Sequence, residues 1–186
     1  MADLIYTTNV SLDGFIEDDH GSFDFTVPEA EFFAFITDLE RSAGTYLYGR
    51  RLYEAMAVWE TDPGLAAQSE LMADFADMWQ AADKVVYSKT LEGVATARTR
   101  LERSFDADAI RTMKASAPGH LTVGGANLAR QAFEAGVMDE CRLFVHPVLV
   151  GGGKPALPRG IRVQLELIDE RRFRSGLVYL RYRVTR

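Results

Sequence analysis

The chain has 186 residues, 47% hydrophobic and 26% charged, a globular composition with enough apolar mass for a sizeable core, which excludes a disordered chain. A net charge of -6 argues against a nucleic-acid or acidic-membrane partner, and a lone cysteine, Cys141, excludes an internal disulfide. No basic-then-apolar leader follows Met1 and no apolar run reaches the roughly 20 residues that span a bilayer, so the expectation is a cytoplasmic protein of one domain, residues 1–186.

Leu4 to Val10 is a β-type run, and Ser11-Leu12-Asp13-Gly14-Phe15-Ile16 breaks it with a turn before another apolar pair. Pro28, with Glu29 and Glu31 behind it, marks a helix start whose apolar face is Phe32, Phe35, Ile36 and Leu39. Tyr46-Leu47-Tyr48 is a short strand, after which Gly49-Arg50-Arg51 opens a helical segment, Leu52 to Met56. Thr61-Asp62-Pro63-Gly64 is a turn, and Leu71, Met72, Phe75, Met78, Trp79 and Ala82 form the core stripe of a long helix.

Asp83 to Tyr87 is a strand ending in Ser88-Lys89-Thr90, Leu91 to Ala97 connects, and Thr99 to Phe105 is a further strand. Asp106 is an N-cap for a helix to Ala115. Leu121 to Gly136 then reads as strand, glycine pair and helix: Leu121 and Val123 extend, Gly124-Gly125 stop, and Leu128, Ala129, Ala132 and Phe133 recur at helical spacing. Gly136 stands where a left-handed C-cap belongs. Such a turn brings free N–H groups and the positive end of a helix dipole to one point, which is an anion site suited to phosphate. A plain tight turn explains the same residues.

The last third alternates. Cys141, Leu143 and Val145, then Ile161, Val163, Leu165 and Leu167, then Val178, Leu180, Tyr182 and Val184 form one face of successive strands, with Arg171 to Gly176 as the final hairpin connection. Gly151-Gly152-Gly153-Lys154-Pro155 lacks the spacing of a phosphate-binding Walker loop and reads as a connection. Helix-linked strands followed by alternating ones predict an α/β fold with a mixed central sheet and antiparallel C-terminal strands.

Three loops, Gly49-Arg50-Arg51, Ser88-Lys89-Thr90 and Gly124-Gly125-Ala126-Asn127, then stand at the ends of strands. Ligands of open α/β sheets gather there, so the loops point to one elongated anionic ligand, a dinucleotide. Ser88, Lys89 and one of Arg50 or Arg51 supply hydroxyl and cations for a 2'-phosphate, which favours NADPH over NADH. Taken singly, each arginine reads as a solvated surface charge before it reads as a ligand. Trp59, Phe23, Phe25 and Phe35 are aromatic candidates for a stacking wall, with core packing as their ordinary role.

Six words in order, Ser11-Leu12-Asp13-Gly14-Phe15-Ile16, Gly49-Arg50-Arg51-Leu52-Tyr53-Glu54, Val86-Tyr87-Ser88-Lys89-Thr90, Gly124-Gly125-Ala126-Asn127-Leu128, Val137-Met138-Asp139-Glu140 and Pro147-Val148-Leu149-Val150-Gly151, carry a resemblance. The chain resembles dihydrofolate-reductase-fold proteins related to the reductase domain of bifunctional riboflavin-biosynthesis enzymes. That resemblance implies a dihydrofolate-reductase-like three-layer sandwich, NADPH as hydride donor, and a homodimer. It also implies that Gly124, Gly125, Ala126, Asn127 and Leu128 take the pyrophosphate. Gly49, Arg50, Arg51, Ser88, Lys89 and Thr90 would take the adenosine-phosphate end, and backbone near Asn9 and Ile16 the nicotinamide carboxamide. Where the riboflavin-pathway reductases carry a Lys and a Glu, this chain has Thr7 and Val123, and the zinc deaminase half is absent. By analogy with folate reductases Glu31 is a candidate proton donor, with Asp13 the other candidate catalytic acid; a helix-dipole acid and a turn former are their ordinary roles. Hydride transfer needs no metal. The expectation is an NADPH-dependent reductase of a planar nitrogen heterocycle, a pteridine or pyrimidine; the alternative is an NADPH-binding sensor or resistance protein without turnover.

Overall fold

A computed structural model describes residues 1–26 and 29–185. In chain order the elements are β1 (Leu4–Ser11), β2 (Phe15–Glu17), α1 (Ala30–Glu40), β3 (Ala43–Gly49), α2 (Arg50–Met56), α3 (Val58–Thr61), α4 (Pro63–Ala66) and α5 (Glu70–Ala81). There follow β4 (Asp83–Tyr87), β5 (Thr99–Glu102), α6 (Ala107–Ser116), β6 (His120–Gly124), α7 (Ala126–Glu134), β7 (Glu140–His146), β8 (Lys154–Pro155), β9 (Gln164–Arg172) and β10 (Val178–Thr185). Eight strands form one sheet in the order β5-β4-β3-β6-β1-β7-β10-β9, while β2 and β8 make a separate two-stranded ribbon. Pairings from β5 through β7 are parallel, and β10 is antiparallel to both its neighbours. This is the mixed sheet that the strand patterns predict, in the three-layer sandwich that the resemblance implies.

Apolar residues on the two faces of the sheet make two layers. On one face Leu4, Tyr6, Leu47, Val85, Leu121, Val123 and Cys141 pack against Ile110 of α6 and Leu128, Ala129, Ala132 and Phe133 of α7. On the other, Tyr46, Tyr48 and Val86 meet Tyr53, Phe75 and Trp79 of α2 and α5, and Phe144 and Tyr179 meet Phe32 of α1. Ser69 and Asp106 cap α5 and α6 by accepting from Met72 N (3.2 Å) and Asp108 N (2.9 Å). Gly136 has φ +63°, the left-handed stop expected after α7. The helix start expected at Pro28 lies outside the described residues; α1 begins at Ala30 behind the N-cap Glu29.

Several expectations shift. The turn Thr61–Gly64 is built from two single-turn helices, α3 and α4, around Asp62, whose carboxylate accepts from Gly64 N at 3.0 Å. The strand expected to reach Phe105 ends at Glu102, and the final hairpin connection begins only after Arg172. Residues 161–163 precede β9, which opens at Gln164. In β7 the polar-looking set Glu140, Arg142, Phe144 and His146 is the fully buried one, because β1 and β10 flank this strand and α1 covers that face.

Charges hold the amino ends of the strands. Asp139 accepts from Leu4 N at 2.7 Å and pairs with buried Lys114, whose Nζ also donates to Val137 O at 3.2 Å. Buried Lys84 donates to Trp79 O (3.2 Å) and Gln80 O (3.4 Å), a cation at the carboxyl end of α5. Under α1, Glu140 takes a two-pronged bond from Arg181 (2.9 and 2.8 Å) and lies 3.5 Å from Arg142. Glu40 accepts from Thr7 and Thr122, each at 3.2 Å. Burial pushes the Glu40 carboxyl above the ordinary carboxylate range, against the pull of Arg142 and these two hydroxyls.

Candidate active site

The carboxyl ends of β4, β3 and β6 lie side by side, since Gly49 pairs with Tyr87 and Tyr48 with Gly124. Their loops meet. Arg50 Nη1 donates to Thr90 Oγ1 at 3.1 Å, which joins the first two loops. A Cβ on Gly125 would stand 4.0 Å from Gly49 N, which joins the first and third. Arg50, Lys89 and Gly125 therefore share one rim of the sheet.

Glycine is required here for two physical reasons. A Cβ on Gly124 would lie 2.3 Å from Leu52 Cδ2 and 2.8 Å from the Tyr48 ring, so the turn and α2 touch only because no side chain intervenes. Gly125 has φ +102°, a conformation that side chains disfavour. Both α2 and α7 start from a glycine N-cap without a side-chain cap bond, unlike α5 and α6. Their first N–H groups are thus available to a ligand, and a helix N-terminus favours an anion.

The individual side chains are placed less uniformly. Lys89 is exposed and forms no ion pair among the described residues. Arg50 also holds Glu54 at 2.8 Å, whereas Arg51 turns to Glu17 at 3.1 Å, toward the β2 side. Ser88 Oγ accepts from Thr90 N (3.3 Å) and Leu91 N (3.0 Å), a local turn that shapes the loop. Arg103, absent from the sequence-based candidates, donates to Ser88 O (3.1 Å) and Leu91 O (2.7 Å) and adds a third cation beside that loop. Nothing in its sequence context marks it, because the contact crosses from the end of β5. Ala126 and Leu128 are buried in the first turn of α7, and Asn127 is exposed.

β1 and β7 run on past this rim. The pairing of β1 with β6 ends at Tyr6 and Val123, but its pairing with β7 continues to Ser11 and His146. Thr8 to Ser11 therefore carry no strand on the β6 side among the described residues, and this open backbone includes Asn9. Ile16 lies on the short β2–β8 ribbon, whose first strand rests against β1. On the α1 face, Asn9 Oδ1 is 2.9 Å from His146 Nε2. Phe25 and Phe32 meet the imidazole edge-on at 5.6 and 6.3 Å between ring centres. Of the other aromatic candidates, Trp59 stacks on Phe33, Phe35 packs on Phe144, Phe173 and Tyr179, and Phe23 is exposed.

Both candidate acids are engaged. Asp13 accepts from Ser11 Oγ (2.6 Å), Val150 N (3.2 Å) and Gly151 N (2.7 Å), which ties the turn after β1 to the loop after β7. The Ser11 bond, with the two backbone bonds behind it, holds its carboxyl below the ordinary range, so it stays ionised. Glu31 pairs with Arg171 at 3.1 Å and takes Arg174 N at 3.5 Å, which directs it to the β9–β10 hairpin.

The sequence matches the family described as RibD C-terminal domain over residues 2–179. The chain belongs to that family. RibD C-terminal domains are reductase domains. Among proteins with a similar sequence is the uncharacterized protein YyaP of Bacillus subtilis (strain 168), 26% identical over 96% of this chain and 93% of its own. The crystal structure of a putative riboflavin biosynthesis protein from Shewanella sp. PV-4 has the same fold, with a TM-score of 0.75 at 21% identity and full coverage of both chains. A Thermotoga maritima diaminohydroxyphosphoribosylaminopyrimidine deaminase/5-amino-6-(5-phosphoribosylamino)uracil reductase shares it at a TM-score of 0.65 and 13% identity, over 99% of this chain and 57% of that one. No described helix is long and apolar enough to cross a membrane.

Proposed function

We propose that the protein is an NADPH-dependent reductase of a planar nitrogen heterocycle. The observation that carries this is the meeting of two uncapped glycine-started helices and the cations Arg50, Lys89 and Arg103 at the adjacent ends of β4, β3 and β6. The cradle fits a dinucleotide: glycine at 124 lets the turn lie directly against α2, and main-chain N–H groups suit a pyrophosphate. Gly124 to Leu128 would hold the pyrophosphate, and Arg50, Ser88, Lys89 and Thr90 the adenosine 2'-phosphate. The open β1 backbone around Asn9, with Ile16 above it, would hold the carboxamide. When bound, the cofactor supplies a hydride; the chain fixes both rings and excludes water.

The substrate differs from the one named for the Thermotoga protein. At the two departing positions Thr7 donates to Glu40 and Val123 is sealed in the α7-side core, so neither offers a charge to a sugar phosphate. The test is thermal unfolding with NADPH and with NADH. NADPH at 100 times its Kd should stabilise by about 2.7 kcal/mol, NADH by less, and Lys89→Ala should narrow the gap. Equal protection, or none, would overturn the proposal. The non-catalytic sensor is separated by loss of NADPH absorbance with a panel of pterins and pyrimidines.

The partner in this proposal, besides the heterocycle, is a second copy of the chain. On the α7-side face of β9, Leu165 and Leu167 remain 40% and 46% exposed. Register puts Glu170 and Arg172 on that same face, opposite Leu180 and Val178, with no ion pair among the described residues. One acid and one base two residues apart on an apolar face are self-complementary about a two-fold axis. A cavity of about 340 Å³, lined by Val10, Leu12, Phe15, Leu143, Val145 and Leu157, opens on this face beside exposed Leu12.

A further inference from the structure

The cavity of about 340 Å³ beside Leu12 has a floor of Val10 from β1 and Leu143 and Val145 from β7, on the α7-side face of the sheet. The β2–β8 ribbon folds over it. Phe15 pairs with Pro155, Ala156 N donates to Gly14 O at 2.9 Å, and Tyr6 Oη, from the same face of β1, donates to Ala156 O at 2.9 Å. Three polar side chains line this space: Ser11, Asp13 and Arg159. Ser11 Oγ is spent on Asp13 (2.6 Å) and Phe15 N (3.0 Å), and Asp13 accepts with Oδ1 from Ser11 and Val150 N and with Oδ2 from Gly151 N. Arg159 is exposed and has no hydrogen bond or ion pair among the described residues.

We propose that this cavity binds a small amphipathic carboxylate, with its hydrocarbon chain on Val10, Leu143 and Val145 and its head group on Arg159. Water in the cavity meets mostly hydrocarbon and two polar side chains already in use, so its displacement by an apolar chain is favourable. Ligand pockets run from about 300 to 1,000 Å³, and this one stands at the small end, which limits the chain to a short acyl or aryl group. Charge selects the head. Both Asp13 oxygens are taken, whereas the guanidinium keeps its forked donors, and these match a carboxylate. A second copy seated on this face would match Glu170 with Arg172 about the two-fold axis and leave Arg159 without an acid. None of the lining residues belongs to the three cradle loops, so the site stands independently of the cofactor reading.

The probes are octanoate and octylammonium, which share a chain and differ in the sign of the head, titrated by calorimetry below the concentrations at which they aggregate. Octanoate should bind about tenfold more tightly, the worth of one charge-assisted contact, although the net charge of -6 by itself favours the ammonium. Arg159→Lys should keep that order and Arg159→Glu reverse it. Val145→Phe, which fills the floor, should abolish binding of both probes while its unfolding stays cooperative. Binding of neither probe by the wild type, equal binding, or a preference for octylammonium would overturn the proposal. So would an octanoate preference that survives Arg159→Glu, or binding that survives Val145→Phe, since either places the probe elsewhere. Octanoate bound by Leu167→Glu but refused by the wild type would also overturn it, and would make a second copy the occupant of the cavity.

Discussion

The two sides of the sheet's carboxyl end are built from different materials. Over β3 and β6 the turns are glycine, the helices start without side-chain caps, and what these turns present is main-chain N–H. Over β1 and β7 nearly every loop is tied by a side chain: Asp13 to the loop after β7, Ser11 Oγ to Phe15 N, Asn9 to His146. Main-chain recognition suits phosphates, which are the same in every nucleotide. Side-chain recognition can be changed residue by residue, so the second side is where relatives of one fold separate by substrate.

The comparison breaks most visibly beneath the second side. Glu140 is 4% exposed at its side chain and holds both Arg181 and Arg142. Arg142 Nε already lacks a partner among the described residues. Glu140→Gln leaves two guanidiniums facing a neutral amide under α1, and should cost about 3 kcal/mol in chemical denaturation. The NADPH-over-NADH difference should survive, because the network touches none of the three cradle loops. A loss below about 1 kcal/mol would show that water already reaches Arg142.

Gly124→Ala tests the first side with a smaller expected loss. The new methyl meets the Tyr48 ring, which is stacked on Tyr46 at 5.4 Å and whose hydroxyl accepts from Trp79 Nε1–H at 3.1 Å, so that ring has little freedom to retreat. Overpacking of this size costs about 1–3 kcal/mol. The sharper readout is cofactor protection, which should fall for NADPH and NADH alike, since both share the pyrophosphate. Retained protection with lowered stability would place the pyrophosphate elsewhere.

The contrast also explains what was legible in the residues. Helix stripes, the Gly124-Gly125 turn and the order of the loops are local patterns, and the strand-end cradle follows from them because parallel strands bring successive loops to one edge. What stayed hidden depends on register. Phe144 and His146 read as the outward face of β7 until the neighbours of that strand are known, since alternation names two faces without saying whether one or both are covered. Arg103 reaches its loop from the end of another strand, and Glu40, a surface-type residue at a helix end, meets hydroxyls on two strands. Conversely, Leu165 and Leu167 read as core and stand on an edge strand that no described strand covers on its outer side.

Those leucines give the smallest expected effect on the fold and the cleanest one on assembly. Charge on an exposed edge strand changes the stability of one copy by no more than about 0.5 kcal/mol. In a two-fold contact the same charge is buried twice and disfavours the dimer. Wild-type protein should therefore sediment as a dimer whose Tm rises with concentration, and Leu167→Glu as a monomer whose Tm does not. NADPH protection should persist in that monomer, because the cradle lies over β4, β3 and β6 and the leucines on β9, at the far edge of the sheet. A Leu167→Glu protein that stays dimeric would move the interface off this face. A monomer that loses NADPH would mean that the second copy completes the site, and the two sides of the sheet would no longer be separable.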